Sequence, residues 1–216
     1  MAKVLIIGAS GETGSRAAMQ LIAKGDSVIG LSRGLTQSTA LSALGVIPVS
    51  GDLVTSSIEQ FAEIMTGCDA VIFAAGASGG GMEMTDLVDG QGVVKSAKAA
   101  ALAGVDQFLL VSAFPDAWRE RRMPDDFEHY MFVKRQADVF LVGTTLNWVI
   151  VRPGTLLNDV GTGLVRMGLA IPYGDVSRDD VAAVLVELIH RPTVSRVILE
   201  LTNGRQTIHE ALANLP

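Results

Sequence analysis

A single cysteine, Cys68, stands in a chain of 216 residues. That excludes an intramolecular disulfide and any cysteine-based metal cluster, and the lone small thiol reads as a core residue. Basic blocks are missing too. Lys and Arg number 17 against 23 Asp and Glu, a formal net charge of -6, which argues against nucleic acid or an anionic membrane as the main partner and favours small soluble ligands. No apolar run reaches membrane-spanning length. Strand-like sequence begins almost at Met1, where a secretory leader would need a charged segment and then an apolar one, so the expected location is the cytoplasm. No repeat or low-complexity linker divides the chain, and its length suits one well-filled core rather than two full domains. His129, His190 and His209 lack metal-ligand spacing and read as structural or solvated, so no metal is expected.

What is present is organised around Lys3 to Gly14, KVLIIGASGETG. Val4, Leu5, Ile6 and Ile7 read as a buried parallel strand running into a glycine-rich turn and a helix that begins near Glu12. Gly8 permits the tight turn, Gly11 lets backbone approach a pyrophosphate, and Gly14 lets the helix pack closely on the sheet. Free amides at the helix start then face the phosphates. The spacing is G-x-x-G-x-x-G, and the strand before and helix after it point to dinucleotide binding.

Strand and helix patterns alternate along the rest, which predicts an α/β fold: a doubly wound parallel sheet of Rossmann type, a single domain with a small C-terminal extension. Strands are expected at Ser27 to Leu31, Val46 to Val49, Ala70 to Ala74, Gln107 to Val111, Leu146 to Val151 and Arg196 to Leu201. Helices are expected at Ser15 to Lys24, Thr39 to Leu44, Ser56 to Met65, Leu87 to Ala103, Phe127 to Val142, after the Ser177/Asp180 capping pair, and at Ile208 to Leu215. Gly76 to Gly81 reads as a mobile loop, Pro115 to Asp126 as a polar loop, and Thr155 to Asp175 is ambiguous, with part of it expected to cover a ligand. Residues to about 112 form the nucleotide-binding half and 113–216 the substrate-facing part.

In such a sheet the ligand crosses the carboxyl ends of the strands, so residues just past each strand carry the chemistry. Arg33 follows the second strand where an enzyme for the non-phosphorylated cofactor places an acid on the ribose hydroxyls; Asp26 lies at the strand's opposite end. Arg33 either pairs with a 2′-phosphate, favouring NADPH over NADH, or is a surface arginine. Asp52 and Leu53, past the third strand, either hold adenine or form a turn. Ala74, Ala75 and Gly76 offer small side chains where cofactor passes close to backbone. Ser112 closes the fifth strand, and Tyr130 and Lys134, four apart, share one helix face. A tyrosine of free pKa about 10 is a poor acid-base group at neutral pH, and a nearby ammonium together with the positive nicotinamide would favour its phenolate and lower that value. Ser112 would then hold a substrate carbonyl while Tyr130 moves the proton, unless this face simply packs. The run Trp118 to Arg122 is either solvated or, an aromatic among arginines, docks a planar or anionic acceptor.

The motifs GASGETGS, GLSR, GDL, the Asp89-Gly92 helix entry, LLVSA, HYMFVKRQAD, WVIVRPG and VSRDDVA together resemble the atypical short-chain dehydrogenase/reductases, near the small bacterial NAD(P)-binding proteins related to flavin/biliverdin reductase. The resemblance spans nearly the whole chain. It implies cofactor contacts at Gly8, Ser10, Gly11, Thr13, Gly14, Arg33, Asp52, Leu53, Ala75 and Gly76, with Pro153 and Gly154 near the nicotinamide, and Ser112, Tyr130 and Lys134 as the catalytic set. The asparagine that completes this set in standard members has no clear equivalent between Leu87 and Gly92. The leading expectation is an NADPH-dependent oxidoreductase, monomer or homodimer, acting on a small carbonyl, quinone or flavin-like acceptor. An NADP-binding sensor without turnover and a sugar-nucleotide epimerase or dehydratase are the alternatives. Only about sixty residues follow the sixth strand, little room for a nucleotide sugar.

Overall fold

The computed structural model describes residues 1–114, 117–118 and 122–215. Residues 115, 116 and 119–121, within the expected polar loop and charge run, lie outside the described residues. Short apolar runs bounded by turn residues become parallel strands, because only a strand covered on both faces can be apolar at nearly every position. These are β1 (Lys3–Ile7), β2 (Ser27–Ser32), β3 (Ile47–Ser50), β4 (Ala70–Phe73), β5 (Gln107–Val111) and β6 (Asn147–Pro153), side by side in the order β3-β2-β1-β4-β5-β6. Leu5 is paired with Ile29 on one side and Val71 on the other. The order reverses between β1 and β4, and the strands' carboxyl ends open a crevice there.

Helices cover both faces. Leu21 of α1 (Glu12–Ala23) and Leu41 of α2 (Leu35–Ala43) pack in one apolar cluster; Phe61 of α3 (Ile58–Met65) packs in the other. A long helical stretch follows β4: α4 (Gly81–Thr85), a π-helical segment (Asp86–Gln91), then α5 (Gly92–Ala103). α5 and α6 (Asp125–Val142) join the Phe61 side. The helix therefore starts at Gly81, inside the expected loop, six residues before the predicted Leu87. Its register shifts at Asp86, which a 3.6-residue pattern does not anticipate.

β6 runs through Pro153 rather than stopping before it; proline is tolerated there because it is the strand's last residue. The ambiguous stretch resolves into β7 (Thr155–Leu157), β8 (Leu164–Gly168) and β9 (Asp175–Ser177), with β7 and β9 forming a separate parallel pair. α7 (Arg178–Ile189), capped by Ser177 accepting from the Asp180 amide at 3.0 Å, leads to β10 (Val197–Asn203), parallel to β6. β8 and β11 (Gln206–Thr207) then add an antiparallel edge, and α8 (Ile208–Ala213) closes on the α1 side. Such short strands hold too few residues for a period-two signal. Cys68 is buried, as expected of a core residue.

Candidate functional site

The three glycines of the first turn are there for different reasons. Gly8 has φ of +93°, and a β-carbon on it would sit 2.6 Å from the Ala75 amide nitrogen. A β-carbon on Gly14 would sit 2.1 Å from the Gly8 carbonyl oxygen. Both are required by the protein's own backbone. Gly11 is exposed, has an ordinary φ of -80°, and its β-carbon would meet only the Gly8 carbonyl, at 3.2 Å. What keeps its outer side bare is the space beyond the turn. α1 begins at Gly11 without a side-chain cap, and its first backbone bond runs from the Ser15 amide to the Gly11 carbonyl at 2.9 Å. The amides of Glu12, Thr13 and Gly14 thus lack a helical partner, as an anion site at a helix start requires.

Arg33 is exposed at the end of β2, and its guanidinium makes no ion pair among the described residues. Gln37 of α2 joins the two loops: it donates to Ser10 Oγ at 2.7 Å and accepts from the Arg33 amide at 2.8 Å. Nothing in the sequence pattern marks Gln37. Asp52 does form a turn, Oδ1 accepting from the Val54 and Thr55 amides at 2.9 Å each, and the Thr55 amide foremost holds its carboxyl below the usual carboxylate range. Leu53 leans on Gly92, where a β-carbon would come within 2.9 Å of it. Gly154 is enclosed, its β-carbon position 1.9 Å from the Gly174 carbonyl oxygen, so close approach of β7 to the loop before β9 accounts for this glycine.

Lys134, Asp89 and Asp138 form a group of buried charges. Lys134 is 3 % exposed; Nζ donates to the Val111 carbonyl at 2.9 Å and lies 3.5 Å from Asp89 Oδ1. Asp89 projects from the π-helical segment, and its other oxygen accepts from the Ala77 amide at 2.9 Å, tying the turn after β4 to Lys134. A π-helical turn often marks a functional position. The region with no clear equivalent of the asparagine thus supplies an acid, Asp89. One turn beyond Lys134, Asp138 Oδ2 accepts from Arg152 Nε at 3.0 Å. Burial pushes the Asp138 carboxyl up, while Ser112, Arg152 and Lys134 pull it down. Asp138→Ala would leave Arg152 unpaired in a largely enclosed position, and chemical denaturation should show a loss of about 3 kcal/mol.

One expectation needs correction. Tyr130, half-buried, has its pKa raised rather than lowered: desolvation outweighs the Lys134 charge, and Asp89 and Asp138 add to the rise. The phenol is thus a proton donor rather than a phenolate. Ser112 is buried beside Asp138, and among the described residues its hydroxyl makes no hydrogen bond of good geometry. Tyr130 lies 6.3 Å from the Phe127 ring, the near end of a row of aromatic contacts that runs on through Trp118 and Tyr173 to Phe114. Trp118 stacks on Phe127 (6.1 Å between centroids, 18° between planes) and meets Tyr173 edge-on at 6.3 Å. Tyr173, whose hydroxyl lies 2.7 Å from Thr155 Oγ1, meets Phe114 at 5.4 Å. Both tyrosines of the chain and one of its two tryptophans thus stand in one cluster. Among the histidines, His129 pairs with Asp86 at 2.8 Å and His190 with Asp26 at 2.9 Å, structural roles as expected.

Comparison with known proteins places this site in context. A family model described as NAD(P)H-binding matches residues 8–192. An uncharacterized sugar epimerase of Bacillus subtilis, YhfK, is 36% identical over 219 residues, covering 99% of this chain and 100% of its own. A proposed NAD-dependent epimerase/dehydratase from Bacillus halodurans superposes with a TM-score of 0.90 at 30% identity, each chain covered in full (100%). The anaerobillin reductase ChuY of Escherichia coli has a TM-score of 0.78 at 22% identity, over 95% of this chain and 98% of its own, a likeness of fold.

Proposed function

The chain belongs to the NAD(P)H-binding family, and from that premise we propose that it is a cytoplasmic NADPH-dependent oxidoreductase reducing a small carbonyl, quinone or flavin-like acceptor. The observation that carries this reading is a phenol held as a proton donor, Tyr130, on the helix whose Lys134 is tied through Asp89 to the turn after β4. The dinucleotide, when bound, supplies hydride. The amides of Glu12, Thr13 and Gly14 would receive its pyrophosphate beside Gly8, Ser10 and Gly11, with Ala75 and Gly76 leaving room along the strand ends. Asp52 keeps one carboxylate oxygen outside its own turn for adenine, with Leu53 against the ring. Pro153 and Gly154 border the nicotinamide end. Tyr130 gives its proton to the reduced acceptor, and Lys134, with three N–H groups, one committed to Val111 and one facing Asp89, retains a donor for a ribose hydroxyl. Ser112 orients the acceptor only if its enclosed hydroxyl swings outward.

The aromatic cluster favours a planar acceptor over a simple aldehyde, since stacked and edge-on rings present faces for a flat ligand. Incubating the purified protein with NADPH and a panel of flavins, quinones and aldehydes, and following cofactor absorbance, tests the proposal. Binding without turnover on every acceptor supports the sensor reading instead. An epimerase reading is favoured by the names of two relatives. It requires conversion of a nucleotide sugar with no net change in cofactor absorbance.

Cofactor choice rests on Arg33. Its guanidinium gains a charge-assisted pair only with a 2′-phosphate, so NADPH should bind more tightly than NADH. Arg33→Ala should weaken NADPH by roughly ten- to a hundredfold, the worth of one such pair, and leave NADH nearly unchanged. Equal titration curves for the two cofactors in the unmodified protein would sink the idea.

A further inference from the structure

We propose that Lys95, on α5, is the positioning residue that holds the adenine-end loop 52–56 in its binding shape. The inference rests on the reading that Asp52 and Leu53 meet adenine. Lys95 Nζ donates to three backbone carbonyls of that loop: Leu53 at 2.9 Å, Val54 at 2.8 Å and Ser56 at 2.7 Å. An ammonium has three N–H groups, and all are used here. Beside it the Phe61 ring lies 6.0 Å from Nζ.

The loop belongs to no strand or helix, so no ladder of backbone bonds keeps its carbonyls converged. Converging carbonyl dipoles repel one another, and the ammonium at their focus removes that repulsion. From the other side, Asp52 Oδ1 gathers the Val54 and Thr55 amides, and the Asp52 amide donates to Ser56 Oγ at 3.1 Å. Amides thus turn toward Asp52 and carbonyls toward Lys95, which fixes where the free Asp52 oxygen and the Leu53 side chain point. α5 grips the loop twice, since Leu53 also rests on Gly92, one helical turn earlier. Without the ammonium the loop loses one of these anchors while the sheet and the phosphate turn stay intact.

The test compares two fragments of the cofactor on the full chain. Lys95→Met keeps the aliphatic stem and removes the donors. Its affinity for ADP-ribose should fall about tenfold while that for reduced nicotinamide mononucleotide stays at the parent value. A general structural role would weaken both fragments together, and that result, or unchanged ADP-ribose binding, overturns the proposal. Should Lys95→Met fail to fold, Gly92→Ala displaces Leu53 from the same loop and should show the same selective loss. An unmodified protein that binds neither ADP-ribose nor NADPH would overturn the cofactor reading itself, a result distinct from selective failure of the variant.

Discussion

Gly11→Arg should abolish NADPH binding and leave the fold in place. The residue has an ordinary φ of -80° and is exposed, so a side chain there strains no backbone. Its β-carbon meets only the Gly8 carbonyl, at 3.2 Å, a contact that a few tenths of an ångström relieves. The arginine then extends over the amides of Glu12, Thr13 and Gly14, where the pyrophosphate must come within hydrogen-bond distance. Each amide–phosphate bond is charge-assisted and contributes about 1.5 to 3 kcal/mol, so loss of all three lowers affinity by more than about a thousandfold. Circular dichroism of the variant should match the parent. Normal NADPH titration of Gly11→Arg would show that the phosphates bind elsewhere. The neighbouring glycines behave differently: an alanine at Gly14 collides with the Gly8 carbonyl and should cost stability first.

Tyr130→Phe should lower turnover with a carbonyl acceptor by about 10² to 10⁴ while NADPH affinity stays near that of the parent. The ring keeps its place beside Phe127, and only the proton donor is removed. Because burial and two nearby carboxylates raise the phenol's pKa, it remains protonated through neutral pH. The rate of reduction should therefore fall on the alkaline side at a higher pH than a free tyrosine would give, and that limb should vanish in the variant. Oxidation, which needs the phenolate, is disfavoured by the same shift. An acceptor of flavin type that takes its proton from solvent should be reduced almost as fast by Tyr130→Phe, which separates the two mechanisms. Unchanged turnover on every acceptor, with lost thermal stability, would assign the hydroxyl to structure alone.

The layered α/β fold, the strand order's consequence for where a ligand lies, and the glycine turn were legible along the chain, because burial on both faces writes a continuous apolar run and a helix writes a 3.6-residue period. Arg33 and Asp52 were singled out by their place just past strand ends, Tyr130 and Lys134 by a spacing of four on one helix, both local properties. What the linear pattern did not contain was which buried charges meet. Asp89, in a π-helical turn, meets Lys134 on another helix, and Asp138 finds Arg152 across 14 residues and two elements. Tyr130 read alone beside Lys134 predicted a phenolate. In the folded chain burial outweighs that ammonium, and Asp89 and Asp138 add to the rise, so the phenol's pKa lies above its ordinary value. Sequence period reports which faces are covered by protein; ionisation depends on the distance and sign of every neighbour in a low-dielectric interior, and only the tertiary structure sets those distances.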